Sequence, residues 1–400
     1  MANKFQNALY LLAPDGNYIG QVISRWLVEF CTQIVGMSLL DSAVTAGSWT
    51  ATITTGTDGA SVVGQPAQLS APSRSGGWTT TDIGRYITLT GMSDPSKNGI
   101  YRISGIISSS VVVLDIKFCV HEDGIPVSQT GLNWRLWDGT SSYRPAAASG
   151  NWAVLVGTYS DATTFHVKID ASTDAQRMPS LSIGPWATWN AGSHVWSDSR
   201  NTTARAVAGY NGGSYARMFA VGDTNRVMFG YYCPGSNVYG LEYFGEFTPA
   251  YGTVVDPKPA CTISGGGSSS TPDYVVGAGR NTGSDGFANG TRFLSANSTT
   301  VISGTLEVPT CTSYDGSSVN SFKGWQRRWS MWSRKLYRFE ILLSSLTAGY
   351  YERRGTLNGM WATGQDYMRA MPFGSLREYL HWGYGIVMHW NGSKVHFQAP

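Results

Sequence analysis

Apolar residues follow a helical period clearly once, near the N-terminus. Ile19, Val22, Ile23, Trp26, Leu27, Phe30 and Ile34 fall on one face of a 3.6-residue repeat. Gln21, Ser24, Arg25, Glu29 and Gln33 take the other face. Asp15 or Asn17 can cap the start, and Gly36 suits the left-handed position after the last turn. The pattern predicts an amphipathic helix over 17–36. Its apolar stripe is wide and must be covered by its own domain or by a neighbouring subunit. In the second case Trp26 and Phe30 are contact residues.

Elsewhere the alternation has period two, the signature of half-buried strands. Residues 42–80 carry short runs such as 49–53 in a Ser, Thr, Gly and Ala background. A meander comes next, with strands at 85–90, 100–107 and 111–118 separated by the turn cluster 94–99 and by Ser108-Ser109-Ser110. Three strands this close predict a small antiparallel barrel or sandwich. Further strands are expected at 152–156, 164–169, 226–232 and 241–247. Residues 335–343 alternate as a strand, although Trp332, Leu336, Phe339, Leu343 and Leu346 also fit a heptad. Asn391-Gly392 is a hairpin signal between 385–390 and 395–397. Asp256-Pro257-Lys258-Pro259 and the Gly and Ser run 265–270 mark a linker or a long loop. The expected organisation is an arm and helix over 1–45, a small β module over 46–130, a central β-sandwich over 131–260 and a C-terminal β domain over 261–400. The fold class is mainly β, with two or more antiparallel sandwich or barrel modules and the N-terminal helix.

Composition sharpens this. Charged residues make up 14% of the 400, against about 25% in an ordinary soluble chain. Their place is taken by 48 Gly and by aromatics, among them 15 Trp and 21 Tyr, which argues against disorder. Glu and Lys, the good exposed helix formers, number 8 each. A net charge of +3 is too small for a global nucleic-acid field. No signal peptide is recognisable after Met1 and no apolar run reads as a membrane span, so synthesis in a cytoplasm with no membrane partner is expected. The five cysteines, 31, 119, 233, 261 and 311, form no CxxC and read as isolated reduced thiols.

No catalytic signature stands out. There is no P-loop, no GxGxxG and no GxSxG. His121-Glu122-Asp123 reads as a turn rather than a metal site, and His381, His389 and His396 show no HExxH spacing. Glu242 and Glu246, four apart on a strand, lie ~13 Å apart at the backbone, against roughly 5–9.5 Å for a glycosidase pair. The chain is therefore expected to be no enzyme, with no cofactor, no metal and no small-molecule substrate. Two residue groups remain. A basic and aromatic cluster, Trp325, Arg327, Arg328, Trp329, Trp332, Arg338 and Arg354, has the residue types that subunit interfaces concentrate; nucleic acid is the weaker reading. Trp186, Trp189 and Trp196 could form a sugar-stacking platform or pack in a β core.

Two segments resemble known proteins. Asp82-Ile83-Gly84-Arg85-Tyr86-Ile87-Thr88-Leu89, followed by Asn98-Gly99-Ile100-Tyr101-Arg102-Ile103, resembles a β module of tailed-bacteriophage structural proteins. Its pattern is D-x-G-[KR]-aromatic-[IL]-x-[IL], then N-G-x-[YF]-x-I. Arg354-Gly355-Thr356-Leu357-Asn358-Gly359-Met360-Trp361 resembles a terminal motif of phage virion proteins, with Asn358 where the pattern has Pro. The resemblance implies a non-enzymatic virion component of tail or baseplate. It would be repeated in the particle and partnered by itself and other virion proteins. The alternatives are a receptor- or carbohydrate-binding virion protein, such as a tail fibre, and a capsid decoration protein.

Overall fold

A computed structural model describes residues 4–12, 19–43, 54–94, 97–116, 118–119, 126–137, 152–170, 180–184, 188–197, 203–206, 215–233, 238–246, 248–249, 263–264, 275–276, 280–281, 291–294, 301–303, 305–307, 337–345, 350–362, 379–382 and 386–389. The described chain is mainly β and every strand pairing in it is antiparallel. It begins with strand β1 (Lys4–Leu12), helix α1 (Ile19–Glu29) and a π-helical continuation (Phe30–Val35). Gly36 closes the helix with φ 92°, its N–H donating to the Cys31 carbonyl at 3.0 Å. Only glycine adopts that backbone without strain. Strand β2 (Ser38–Ala43) comes next.

Six strands then close into a barrel: β3 (Thr54–Val62), β4 (Gln65–Ser70), β5 (Tyr86–Thr90), β6 (Gly99–Ser108), β7 (Val111–Leu114) and β8 (Leu132–Leu136), in the order β3-β4-β7-β6-β5-β8. The meander expected from alternation is β5, β6 and β7. The closing strand β8 falls just beyond the stretch assigned to this module by sequence. Leu69, Ile87, Leu89, Ile103, Val112, Phe118, Leu132, Trp134 and Leu136 fill the interior. Trp134 sits so close to Gly56 that a Cβ there would meet its ring at 2.5 Å.

Two open sheets come after the barrel. One contains β9 (Trp152–Thr158), β10 (Thr164–Asp170) and β11 (Ser180–Gly184), with β2 on one edge and β14 (Thr203–Ala206) on the other. Between β11 and β14 in the chain lies a hairpin, β12 (Trp189–Asn190) and β13 (Val195–Trp196). The other sheet is β1, β15 (Tyr215–Asp223), β16 (Arg226–Cys233) and β17 (Val238–Gly245). Farther on, strand Tyr337–Ser345 pairs with the long strand Tyr350–Ala362, so 337–345 is a strand and not a helix. Strand Ile386–His389 pairs with Tyr379–Trp382 and with the long strand. The expected hairpin at 391–392 lies outside the described residues.

One core joins these parts. Ala153, Leu155, Phe165, Val167 and Ile169 from the five-stranded sheet meet Ala220, Val227, Phe229 and Phe244 from the four-stranded sheet. Trp26, Leu27, Phe30, Cys31, Ile34 and Met37 of the helical segment belong to the same cluster, as do Tyr86, Ile100 and Trp137 of the barrel and its exit. Trp26 and Phe30, one turn apart, stack with ring centroids 5.7 Å apart. The expected polar face of the helix is a correction. Ser24, Arg25 and Glu29 are as buried as the apolar face. They are covered because the barrel packs against the helix from that side. The Arg25 guanidinium lies 4.9 Å from the Trp137 ring centroid. Glu29 accepts from Arg135 at 3.2 Å and from the Thr88 hydroxyl at 3.2 Å, and Thr88 accepts the Trp137 indole N–H at 3.0 Å.

Asp82 organises a second polar cluster on the barrel. Its buried carboxylate pairs with Arg74 and, at 2.7 Å, with Arg85, and it accepts the Thr79 N–H at 2.9 Å. Arg85 in turn donates to the Trp137 carbonyl. Burial alone would raise the proton affinity of Asp82, but the Thr79 N–H and the two guanidiniums outweigh it and hold the carboxyl below its ordinary value of 3.8. The stability from this charge is therefore complete above that value and is lost as the pH falls through the lowered one. Asp82→Asn should destabilise the protein at neutral pH by about 3–5 kcal/mol, the cost of breaking a buried ion pair. The gap from wild type should narrow below pH 3.8; urea denaturation on both sides of that value measures it. A second expectation concerns packing. A Cβ on Gly157 would lie well inside van der Waals contact with the buried Phe165 ring, whereas one on Gly105 would touch only Val113, at 3.7 Å. Gly157→Ala should cost about 1–3 kcal/mol from overpacking, and Gly105→Ala should leave the thermal midpoint nearly unchanged.

Candidate functional site

The densest group of chemically able side chains lies on the outer face of the five-stranded sheet. Period-two alternation sends Phe165, Val167 and Ile169 of β10 into the core and His166, Lys168 and Asp170 outward. Asp170 is in register with Trp152, and Lys168 with Val154. Asp41 reaches the same face through a β-bulge. Leu39 pairs with Leu155 but Asp41 pairs with Val154, so Leu40 is the extra residue and the bulge reverses the facing of the residues after it. Without it Asp41 would point into the core.

The β12–β13 hairpin lies on this face. Asn190 Oδ1 accepts the N–H groups of Gly192 and Ser193 at 2.9 and 3.1 Å, an Asx-type turn. His194 completes the turn in the left-handed region, φ 56°. Three contacts tie the hairpin to the sheet. The Trp189 N–H donates to His166 Nδ1 at 2.7 Å. The Trp189 indole N–H donates to Asp41 Oδ2 at 2.6 Å. His194 Nδ1 lies 2.9 Å from the same carboxylate oxygen. Trp152 and Trp196 meet Trp189 edge-on, with centroids 5.2 and 5.4 Å away. The Lys168 amine lies 5.3 Å from the Trp152 ring centroid and 5.7 Å from that of Trp189, and pairs with Asp170 at 2.8 Å. Burial pulls Asp41 upward, but the hydrogen bonds from Trp189 and His194 prevail and hold its carboxyl below the usual carboxylate range. Burial lowers the proton affinity of His166.

This geometry removes Trp189 from the sugar-platform reading. Its ring is buried between two other indoles, and its indole N–H already has an acceptor. A stacking platform needs an open ring face. Trp196 is half-buried against it, and Trp186 lies outside the described residues. Asp41, His166, Lys168 and His194 were missed by sequence reasoning. The alternation of His166, Lys168 and Asp170 was legible, but Asp41 and His194 meet across 153 positions.

The interface candidates divide in the same way. Trp26 and Phe30 have no exposed surface, a correction, because the helix is enclosed by its own chain and not by a second subunit. Trp325, Arg327, Arg328, Trp329 and Trp332 lie outside the described residues. Arg338 pairs in register with Trp361 beside a break in the ladder. Arg354 falls at a second break, between Gly355 opposite Ile341 and Arg353 opposite Leu342. Of the catalytic candidates, Glu246 is engaged by the Ser160 N–H and hydroxyl and by Asn225, and Glu242 pairs in register with Phe229. His121, Glu122 and Asp123 lie outside the described residues. Cys31 and Cys119 are free and buried, and burial pushes both thiols up. Among the described residues no group of three His, Cys, Asp or Glu could hold a metal ion, and no helix is long and apolar enough to cross a membrane.

Compared with known proteins, the chain matches no family model and no curated protein.

Asp41→Ala would strip the acceptor from the Trp189 indole and from His194 together. A loss of about 1.5–3 kcal/mol is expected for a charged acceptor. His194→Ala removes only a half-exposed contact and should cost less than about 1 kcal/mol. Urea denaturation of the two variants gives the comparison.

Proposed function

We propose that the chain is a non-enzymatic structural subunit of a tailed-bacteriophage virion, placed in the tail or baseplate and repeated in the particle. The observation that supports this reading most directly is the mechanical role of the phage-like pattern at 82–103. Asp82 neutralises two arginines inside the barrel. Gly84, with φ 90°, donates its N–H to the Ile103 carbonyl at 2.6 Å. Asn98 accepts the Met92 N–H at 2.9 Å, and the Tyr101 hydroxyl donates to the Lys97 carbonyl at 2.5 Å. The polar signature residues thus carry hydrogen bonds that brace one closed module, which suits a part under mechanical load. Low charge and abundant aromatics in the whole chain suit a subunit that buries surface in an assembly. On this reading its partners are copies of itself and other virion proteins, and its location is the particle.

Quantitative mass spectrometry of purified particles tests the proposal. A fixed copy number in a multiple of three, five or six is expected; complete absence from particles, with the chain free in the lysate, overturns it. In the purified protein, Trp325→Ala, Trp329→Ala and Trp332→Ala should each shift sedimentation from the oligomer toward the monomer. Unchanged assembly in all three would remove that segment as the contact surface.

A further inference from the structure

We propose that the 188–197 hairpin is an acid-loosened clasp on the outer face of the five-stranded sheet, with His166 as its proton-sensitive catch. The inference stands apart from the virion reading.

The contact is chemically one-directional. The Trp189 backbone N–H donates to His166 Nδ1 at 2.7 Å. That nitrogen must carry a lone pair, so the ring is neutral and holds its proton on Nε2. A protonated imidazole has an N–H on both nitrogens. Two donors would then face each other across a hydrogen-bond distance, and the Trp189 amide would lose its acceptor. The half-buried setting of His166 acts in the same sense, favouring the neutral ring in the closed hairpin.

The surrounding charges are few. On its own strand His166 shares a face with Lys168 and Asp170, which pair with each other at 2.8 Å. Asp41 comes from β2 and His194 from the hairpin. The flanking strands β9 and β11, Trp152–Thr158 and Ser180–Gly184, contain no titratable residue. The turn is held separately: His194 Nδ1 lies 2.9 Å from Asp41 Oδ2, a contact that does not involve His166. Acid therefore frees the Trp189 backbone while the turn stays tethered to Asp41. His194 holds a left-handed backbone, φ 56°, a conformation sustained by the contacts around it. Loosening releases the Trp189 backbone amide, while its indole stays bonded to Asp41 at 2.6 Å.

Linkage sets the sign. A histidine whose proton affinity is lowered in the closed state contributes clasp stability that is complete above the ordinary value of 6.5 and is lost as the pH falls through the lowered one. Hydrogen exchange on the full chain, followed by mass spectrometry of the peptide spanning 188–197 at about pH 7.5 and about pH 5, reads this directly. After correction for the intrinsic pH dependence of exchange, protection in wild type should fall by roughly tenfold or more in acid. His166→Gln supplies an uncharged acceptor and should keep protection at both pH values. His194→Gln should keep the acid response. Equal protection of wild type at both pH values overturns the proposal. So does an equal acid loss in wild type and His166→Gln. Should His166→Gln fail to fold, His194→Gln decides: a persisting acid response supports His166 as the catch, and its disappearance overturns the assignment.

Discussion

The burial of residues 24–31 on every side of one short helical segment governs how the described parts fit together. Trp26, Leu27, Phe30 and Cys31 have no exposed surface, and neither does Ser24 on the opposite side. A helix buried all round is ordinarily apolar all round. This one carries Arg25 and Glu29 because the barrel supplies matching groups, the Trp137 ring for one and Arg135 with Thr88 for the other. The two sheets and one side of the barrel consequently share the core around the helix, while the barrel keeps an interior cluster of its own. A shift of the barrel against the helix would expose apolar rings and strand buried charge together, and the two penalties reinforce each other.

The same logic operates at smaller scale around Asp82 and Asp41. Each is a carboxylate that gathers several donors, Asp82 from its own loop and Asp41 from across the chain. Asp82 joins the Arg74 loop, the Thr79 turn and the start of β5. Asp41 joins an edge strand to a hairpin about 150 residues away. Fixed hydrogen bonds to a charged acceptor are stronger than neutral ones, so one side chain can hold a loop that has little apolar surface of its own. The hairpin at 188–197 is such a case, with most of its residues exposed.

How much of the fold was legible in the sequence depends on how local each signal is. The helix, Gly36 as its stop, and strands β5 to β7 each rest on a local pattern, and the structure has them there, with β7 ending at Leu114 instead of running on to 118. The β3–β4 hairpin was hidden, because its sequence is small and polar. Gly56 and Gly59 are there to admit Trp134 and Leu132 from β8, a reason that lies some 75 residues away. The polar face of the helix misled for the same cause. Periodicity tells which residues share a face, not whether a barrel arrives later to cover it. The tryptophans at 189 and 196 were visible as a cluster, yet their burial depends on Asp41, whose facing is set by a bulge that no local pattern announces. The candidates Trp325, Arg327, Arg328, Trp329 and Trp332 lie outside the described residues and stay sequence-level expectations.

Low charge content takes on a different meaning in this light. A chain with 14% charged residues could be read simply as one with a weakly charged surface. Several of the described charges instead sit inside, at joints: Arg25 and Glu29 between helix and barrel and Asp82 between two arginines, while Asp41 lies partly buried under the hairpin. Apolar contacts hold these layers together through close packing, as Trp134 against Gly56 and Phe165 against Gly157 show. Charged hydrogen bonds are directional and fix the register at the few points where layers meet. Among the described residues, a few buried ionic contacts thus add directional constraints to a close-packed apolar core.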